Sequence, residues 1–255
     1  MADKIIFFDI DGTLLNPITF TFEESTIKML RHLKDQGFKL GIATGRAYLS
    51  AKEIGTFDLI DWDIIVVNNG QRVFDYHHNL IFEQVIDPEV VQEFIDKAHQ
   101  RGIAVLGQGE TWHFWSEIND YVREVHKHLG DLPVPEPFDP SIGINTLMVY
   151  GYDFDFVDEI EGLRYVHVKG PYADVMLEAI DKYTGIAKGL EHLGLSEYYA
   201  MGDSANDLEM AQHAKLFVAT KQASDVLLPY THYQVQSDYN EIEIGMTWLL
   251  EKIKD

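Results

Sequence analysis

Lys4-Ile-Ile-Phe-Phe-Asp-Ile-Asp-Gly-Thr-Leu-Leu15 is the stretch on which the fold turns. Ile5 to Phe8 are apolar at every position rather than alternating, the pattern of a strand covered on both faces of a parallel sheet. Ligands of open parallel sheets gather beyond the carboxyl ends of the strands, so Asp9 and Asp11 stand where a site is expected. Gly12 lets the backbone turn and approach a bound group. Two plainer readings compete. An Asp-rich turn after a strand can be a solvated turn that bonds its own backbone. A calcium loop needs glycine at the sixth position and Glu at the twelfth; counted from Asp9, Gly12 is the fourth residue and Phe20 the twelfth, which argues against calcium. On this segment alone the solvated turn stays open.

Three further segments repeat the pattern. Phe38-Lys-Leu-Gly-Ile-Ala-Thr-Gly-Arg46 ends in a hydroxyl and a glycine, and Ile64-Ile-Val-Val-Asn-Asn-Gly70 ends in two amides and a glycine. Tyr198-Tyr-Ala-Met-Gly-Asp-Ser-Ala-Asn-Asp207 ends in two more carboxylates with an amide between them. Predicted strands that all finish in small or polar groups are hard to ascribe to turns.

These residue types suit a phosphate and a divalent metal. Magnesium prefers carboxylate oxygens, takes one or two of them and shares the substrate's phosphate oxygens; Asp9 and Asp203 could supply them. The Thr44 hydroxyl, the Asn206 amide, a lysine ammonium and free backbone amides would hold the other phosphate oxygens. Lys188, in Thr184-Gly-Ile-Ala-Lys-Gly189, is the best lysine candidate, because it sits early in a predicted helix shortly before the fourth strand.

Taken together, Phe8-Asp-Ile-Asp-Gly-Thr-Leu-Leu15, Ala43-Thr-Gly-Arg46, Lys188-Gly189 and Gly202-Asp-Ser-Ala-Asn-Asp207 resemble, in order, the four motifs of the haloacid dehalogenase-like hydrolases. Within them, the chain resembles the Cof-type phosphatases with a large α/β (C2B-type) cap. The resemblance implies that Asp9 is a nucleophile forming an aspartyl-phosphate, and that Asp11 is general acid and then base. It implies a magnesium ion held by Asp9, the backbone carbonyl of Asp11 and Asp203, which offsets repulsion between nucleophile and ester. Thr44, Gly45, Lys188 and Asn206 would bind the phosphate, Asp207 would orient Lys188 or a metal-bound water, and Asn69 would line the substrate pocket. An Asp at position 11 also favours a phosphatase or phosphomutase over the family's dehalogenases, which expel a halide needing no proton, and its ATPases, which carry Thr there. The leading expectation is a phosphatase acting on a sugar phosphate, cofactor phosphate or nucleotide. Phosphomutase and non-catalytic phospho-ligand sensor are the alternatives.

The composition is compatible with this. The chain has 255 residues, 46% hydrophobic, enough for one large domain or two modest ones. A formal net charge of -22 argues against nucleic acid and anionic membrane partners. It also makes a metal and a lysine more necessary for an anionic substrate. There are no cysteines, which excludes disulfides and thiol catalysis and suits the cytoplasm. The apolar run from Ile5 to Phe8 is too short for a signal peptide, and no stretch is long enough to span a bilayer.

The patterning predicts an interrupted domain: a doubly wound, Rossmann-like parallel core over residues 1–83 and 184–255, with an α/β cap inserted over 84–183. Thr21-Phe-Glu-Glu24 reads as a capping box for a helix whose face is Ile27, Leu30 and Leu33. Asp87-Pro88 reads as an N-cap and first-turn proline, with Val91, Phe94, Ile95 and Ala98 on one face up to Gly102. In the cap, strands are predicted at 103–106, 111–115, 146–150, 165–168 and 174–179, with about two further helices.

Specificity is expected to reside in the cap. Trp112, Phe114 and Trp115 around His113, and the Lys169-Gly-Pro-Tyr172 turn, are candidates, although aromatics are more often packing groups. His77-His78 and His126 with His128 lack metal-ligand spacing and read as solvated. The sequence departs from the family pattern at Thr220-Lys-Gln-Ala223 and over 236–245, positions that carry no catalytic role in the motif scheme.

Overall fold

A computed structural model of the chain describes residues 4–127, 132–167 and 170–254. The core is an eight-stranded sheet in the order β13-β12-β11-β1-β2-β3-β4-β5. Its strands are β1 (Ile5–Phe8), β2 (Lys39–Ala43), β3 (Ile64–Val67), β4 (Arg72–Asp75), β5 (Leu80–Glu83), β11 (Tyr199–Gly202), β12 (Leu216–Ala219) and β13 (Tyr233–Gln234). All pairings from β13 to β3 are parallel, and β4 and β5 join antiparallel at one edge. β1 lies between β2 and β11, as an all-apolar strand requires. Its alternate residues feed two separate cores. Ile6 and Phe8 pack with Leu30, Leu33 and Met246 from the helices α1 (Glu24–Asp35) and α7 (Glu241–Lys254). Ile5 and Phe7 pack with Ile186 and Met210 from α5 (Lys182–Leu193) and α6 (Leu208–His213).

The expected capping box at Thr21 does not form. Glu23 occupies the N-cap position without a side-chain cap bond. Asn16 accounts for this: its backbone N–H donates to the Thr21 carbonyl at 3.1 Å, and its side-chain amide donates to the Glu23 carboxylate at 3.1 Å, which carries the chain past Thr21 before the helix turns.

The chain leaves the core after β5 and builds a second, five-stranded antiparallel sheet in the order β7-β6-β8-β10-β9. These are β6 (Ala104–Gln108), β7 (Trp112–Phe114), β8 (Thr146–Tyr150), β9 (Leu163–Val166) and β10 (Tyr172–Leu177), each within two residues of its predicted limits. α3 (Pro88–Gln100) starts as the sequence suggests: the Asp87 carboxylate accepts from Glu89 N–H at 2.8 Å, and Val91, Phe94, Ile95 and Ala98 are buried. α4 (Asp120–His126) and a 3₁₀ segment at Asp155–Glu159 complete the cap. Helix α2 (Tyr48–Glu53) follows β2 in the core.

Among the histidines, His126 differs from its solvated reading, and His128 lies outside the described residues. His126 is 4% exposed, with Nε2 2.7 Å from the Tyr150 hydroxyl and its ring against Trp112. Burial holds its pKa below the ordinary value of 6.5. The unfolded chain therefore binds the proton first, and stability falls as pH drops below 6.5 towards the folded pKa. Thermal denaturation between about pH 5 and 8 should show this slope, and His126→Gln should flatten it.

Candidate active site

Asp9 is the residue on which the strand ends converge. It follows β1 directly, its N–H donates to Met201 O of β11 at 3.0 Å, and its side chain is buried. Lys182 Nζ donates to Asp9 Oδ1 at 2.6 Å and to Asp207 Oδ1 at 2.7 Å, and the lysine side chain is fully buried. Asp203 completes the group: one oxygen from each of Asp9, Asp203 and Asp207 lies within 4.8 Å of the others.

The lysine at the site is thus Lys182, and the structure does not bring Lys188 there. Lys188 is half exposed, 3.4 Å from Glu191, with its ammonium over the Phe82 ring. Helix phase is the reason. α5 starts at Lys182, two residues before the expected return to the core, with Asp181 as N-cap accepting from Thr184 N–H at 2.7 Å. At about 100° per residue, Lys182, Gly185 and Gly189 fall within one stripe about 60° wide, whereas Lys188 lies outside it, about 120° from Lys182. That stripe presses on the sheet, with Gly185 against Val66 and Gly189 against Ile64. The signal was legible as an Asp N-cap followed by small residues at i+3 and i+7 from Lys182.

Asp207 holds the lysine and also shapes its own loop. Oδ2 accepts the N–H groups of Asp203 and Ser204, each at 3.0 Å, while Oδ1 takes Lys182. Asp203 is fixed by the hydroxyls of Thr13 and Ser204, both at 3.0 Å. Gly12, at φ +83°, brings the loop so close that a Cβ there would collide with the Asp203 carboxylate. Gly12→Ala should consequently displace Asp203 and destabilise the fold by about 1 kcal/mol or more, read as a lower melting temperature; an unchanged melting temperature would count against the close approach.

The rest of the predicted set lies around these carboxylates. Thr44 is buried at the end of β2, with its Oγ1 accepting Arg46 N–H at 3.1 Å. Asn69, at φ 51°, donates from N–H to Thr44 O at 3.0 Å, which ties the ends of β2 and β3 together around Gly45. Asn206 Nδ2 donates to Asn69 Oδ1 at 3.0 Å. Gly70, at φ +100°, packs so tightly on the Asp181 carbonyl that no Cβ fits, so the Asn-Gly pair also seats the start of α5. Asp11 is half exposed and meets Arg46 in a bidentate pair with both N–O distances at 2.6 Å. Arg46 was legible as part of a motif, but its partner was not.

The electrostatics call for a cation. Burial, followed by the neighbouring Asp207, Asp203 and Asp11, raises the Asp9 carboxyl well above its ordinary range even though Lys182 pulls it down. Asp203 is pushed up to about 7, first by burial and then by Asp207. Burial alone would lower the Lys182 pKa, but Asp207 and Asp9 overcome it and hold the ammonium charged. One ammonium, paired with Asp9 and Asp207, therefore stands among three carboxylates. Oxygen donors in this number fit a hard divalent ion such as magnesium. Both oxygens of Asp207 are already engaged, which leaves Asp9 and Asp203 as the side chains that could hold it.

The aromatic cluster of the cap is not at this site. β7 is the far edge of the cap sheet, where Phe114 and Trp115 are buried, Trp115 packs on Phe138, and His113 pairs with Glu136 at 2.6 Å. Lys169, in the other candidate segment, lies outside the described residues, whereas Tyr172 begins β10.

Residues 6–241 match the sequence profile of the haloacid dehalogenase-like hydrolases. The chain is a haloacid dehalogenase-like hydrolase. It is 30% identical over 85% of its length to a putative bifunctional phosphatase/peptidyl-prolyl cis-trans isomerase of Streptococcus pyogenes, of which it spans 47%. It is 26% identical to the 5-amino-6-(5-phospho-D-ribitylamino)uracil phosphatase YcsE of Bacillus subtilis, over 90% of this chain and 88% of that one. A hypothetical protein from Geobacillus kaustophilus has the same fold, with a TM-score of 0.86 at 26% identity, covering 97% of this chain and 99% of the other. The hydrolase is accordingly a phosphatase of this superfamily, a phosphoric monoester hydrolase with a cap domain. No helix among its described residues is long and apolar enough to cross a membrane.

Proposed function

We propose that this hydrolase is a magnesium-dependent phosphatase that cleaves a small phosphate monoester through an aspartyl-phosphate on Asp9. The observation that carries the reading is the buried Lys182 ammonium, 2.6 Å from the strand-end carboxylate of Asp9, with Asp203 beside it. A lone structural aspartate would not need a desolvated lysine and a second carboxylate at the carboxyl ends of parallel strands. The name of the B. subtilis relative, which specifies a phosphorylated ribityl compound, is in keeping with a small ester.

In the first half-reaction an Asp9 oxygen attacks phosphorus, and the bond from phosphorus to the ester oxygen breaks. Asp11 gives its proton to the departing alkoxide. Water then attacks the phosphorus of the aspartyl-phosphate, Asp11 takes a proton from it, the bond to Asp9 breaks, and inorganic phosphate leaves. Lys182, the Thr44 hydroxyl and the backbone around Gly45, together with Asn206, hold the charge spread over the phosphoryl oxygens. Arg46 holds the Asp11 carboxylate in a bidentate pair and so fixes its position. Acting first as acid requires Asp11 to leave Arg46 and carry a proton. Asp9, Asp203 and the main-chain carbonyl of Asp11 would hold magnesium, which supplies charge neutralisation between nucleophile and ester.

Phosphate release from p-nitrophenyl phosphate should stop in excess EDTA and return with magnesium. Magnesium alone should also raise the melting temperature, because an ion at 100 times its Kd stabilises a folded site by about 2.7 kcal/mol. Asp203→Asn should lose most of that increment. Undiminished turnover in EDTA with no thermal shift would exclude the metal.

A further inference from the structure

The cap reaches the core's strand ends through β10. Along this strand Ala173 and Val175 are buried in the cap's own core, so Tyr172 and Asp174 face the opposite side. The same side of the neighbouring β8 carries Thr146, whose hydroxyl accepts from Asn68 and Gln71 of the core domain, both at 3.3 Å. This face of the cap therefore lies over the catalytic domain. There Asp174 Oδ2 accepts from Asn69 Nδ2 at 3.3 Å and stands 3.3 Å from where a Cβ on Gly45 would be. Asn206 donates to Asn69, and Asn69 to Asp174, in a relay that runs from the motif beside Asp203 to the cap.

Asp174 has no structural reason to be a carboxylate. Among the described residues, the single long bond from Asn69 is the only hydrogen bond it accepts, and no cation pairs with it. Its burial raises the carboxyl to about 6, and the Tyr172 phenol on the same face is pushed up to about 12 by burial and by Asp174 and Asp11. Asp174 is partly buried, and the single 3.3 Å bond from Asn69 leaves most of the acceptor capacity of its carboxylate open towards the site. An ionised carboxylate only accepts hydrogen bonds, so what completes it must be a donor. The cap side of a site whose phosphoryl group is held by the core is where the leaving group must lie.

We propose that Asp174 is a specificity-determining residue, whose carboxylate accepts a hydrogen bond from a hydroxyl of the leaving group and so selects monophosphates of neutral polyhydroxylated alcohols. This rests on the phosphatase reading. The same charge disfavours leaving groups that carry a second anion, because that anion would face the carboxylate of Asp174.

The test compares the magnesium-loaded wild type with Asp174→Asn and Asp174→Ala on ribose 5-phosphate, glucose 6-phosphate, glycerol 3-phosphate, 3-phosphoglycerate and p-nitrophenyl phosphate. For either variant, the ratio of kcat/KM on the preferred sugar or glycerol phosphate to that on p-nitrophenyl phosphate should fall about 10-fold or more, the scale of a lost hydrogen bond to a charged group. The ratio of 3-phosphoglycerate to glycerol 3-phosphate should rise in Asp174→Asn, which removes the charge but keeps the shape. Turnover of p-nitrophenyl phosphate with both ratios unmoved overturns the role of Asp174 and leaves the phosphatase intact. A wild type that prefers the aryl ester to every polyol phosphate also overturns it. Release of phosphate from none of these esters overturns the phosphatase reading instead. Loss of the folded state in both variants, seen by circular dichroism, would make Asp174 a structural residue and ends the proposal.

Discussion

Lys182→Met should lower kcat/KM for p-nitrophenyl phosphate by about 10²- to 10³-fold, the loss seen when one preorganised donor to a developing anion is removed. The geometry gives the reason. The ammonium is the one cation in contact with both Asp9 and Asp207 among the described residues, and it is completely buried. Removing it takes away the charge that the proposed mechanism directs at the phosphoryl group and leaves Asp9 and Asp207 without their shared cation. Breaking a buried pair from one side costs about 3–5 kcal/mol. The variant should therefore also melt lower, by several degrees, in differential scanning calorimetry. Lys188→Met is the control, because its ammonium meets Glu191 at 3.4 Å on an exposed helix face. Such a pair is worth about 0–1 kcal/mol, so activity and melting temperature should barely change. If Lys188→Met were the crippled variant, the phase assigned to α5 would be wrong.

Asp9→Asn removes the proposed nucleophile and should reduce kcat by at least about 10⁴-fold, as in other enzymes that lose their attacking group. The fold should survive. Asp9 is crowded by Asp203 and Asp207 within 4.8 Å, so a neutral amide of the same size relieves repulsion in the metal-free protein while Lys182 keeps Asp207. Wild type and variant should accordingly melt at similar temperatures in EDTA, or the variant higher. Radiolabelled phosphate from a turning-over ester should be trapped on the wild type by acid quench and absent from the variant. A labelled Asp9→Asn protein would place the covalent step elsewhere.

Much of this site is legible in the order of residues along the chain. Asp9, Asp11, Thr44, Asn69, Asp203 and Asn206 follow short apolar runs, and strand ends are local: all-apolar residues make a buried parallel strand, and what comes next emerges at its carboxyl edge. The start of α3 is legible for a similar reason, since an Asp N-cap and a first-turn proline act within three residues. Thr21 shows the limit of such signals. Its capping pattern is in place, but the bonds from Asn16 to Thr21 O and Glu23 prevail.

The local order of residues thus dictated a doubly wound core with carboxylates at its strand ends, because strand burial and chain reversal depend on a few neighbours. The tertiary structure alone decided which charges meet. Lys182 and Lys188 sit on the same helix, and only its packing on β3, through Gly185 and Gly189, turns one ammonium into the site and the other to solvent. The pairs Arg46 with Asp11 and Asn69 with Asp174 join residues 35 and 105 positions apart. Nothing near either residue in the chain specifies its partner, since these contacts exist only once the sheet has assembled and the cap has folded over it.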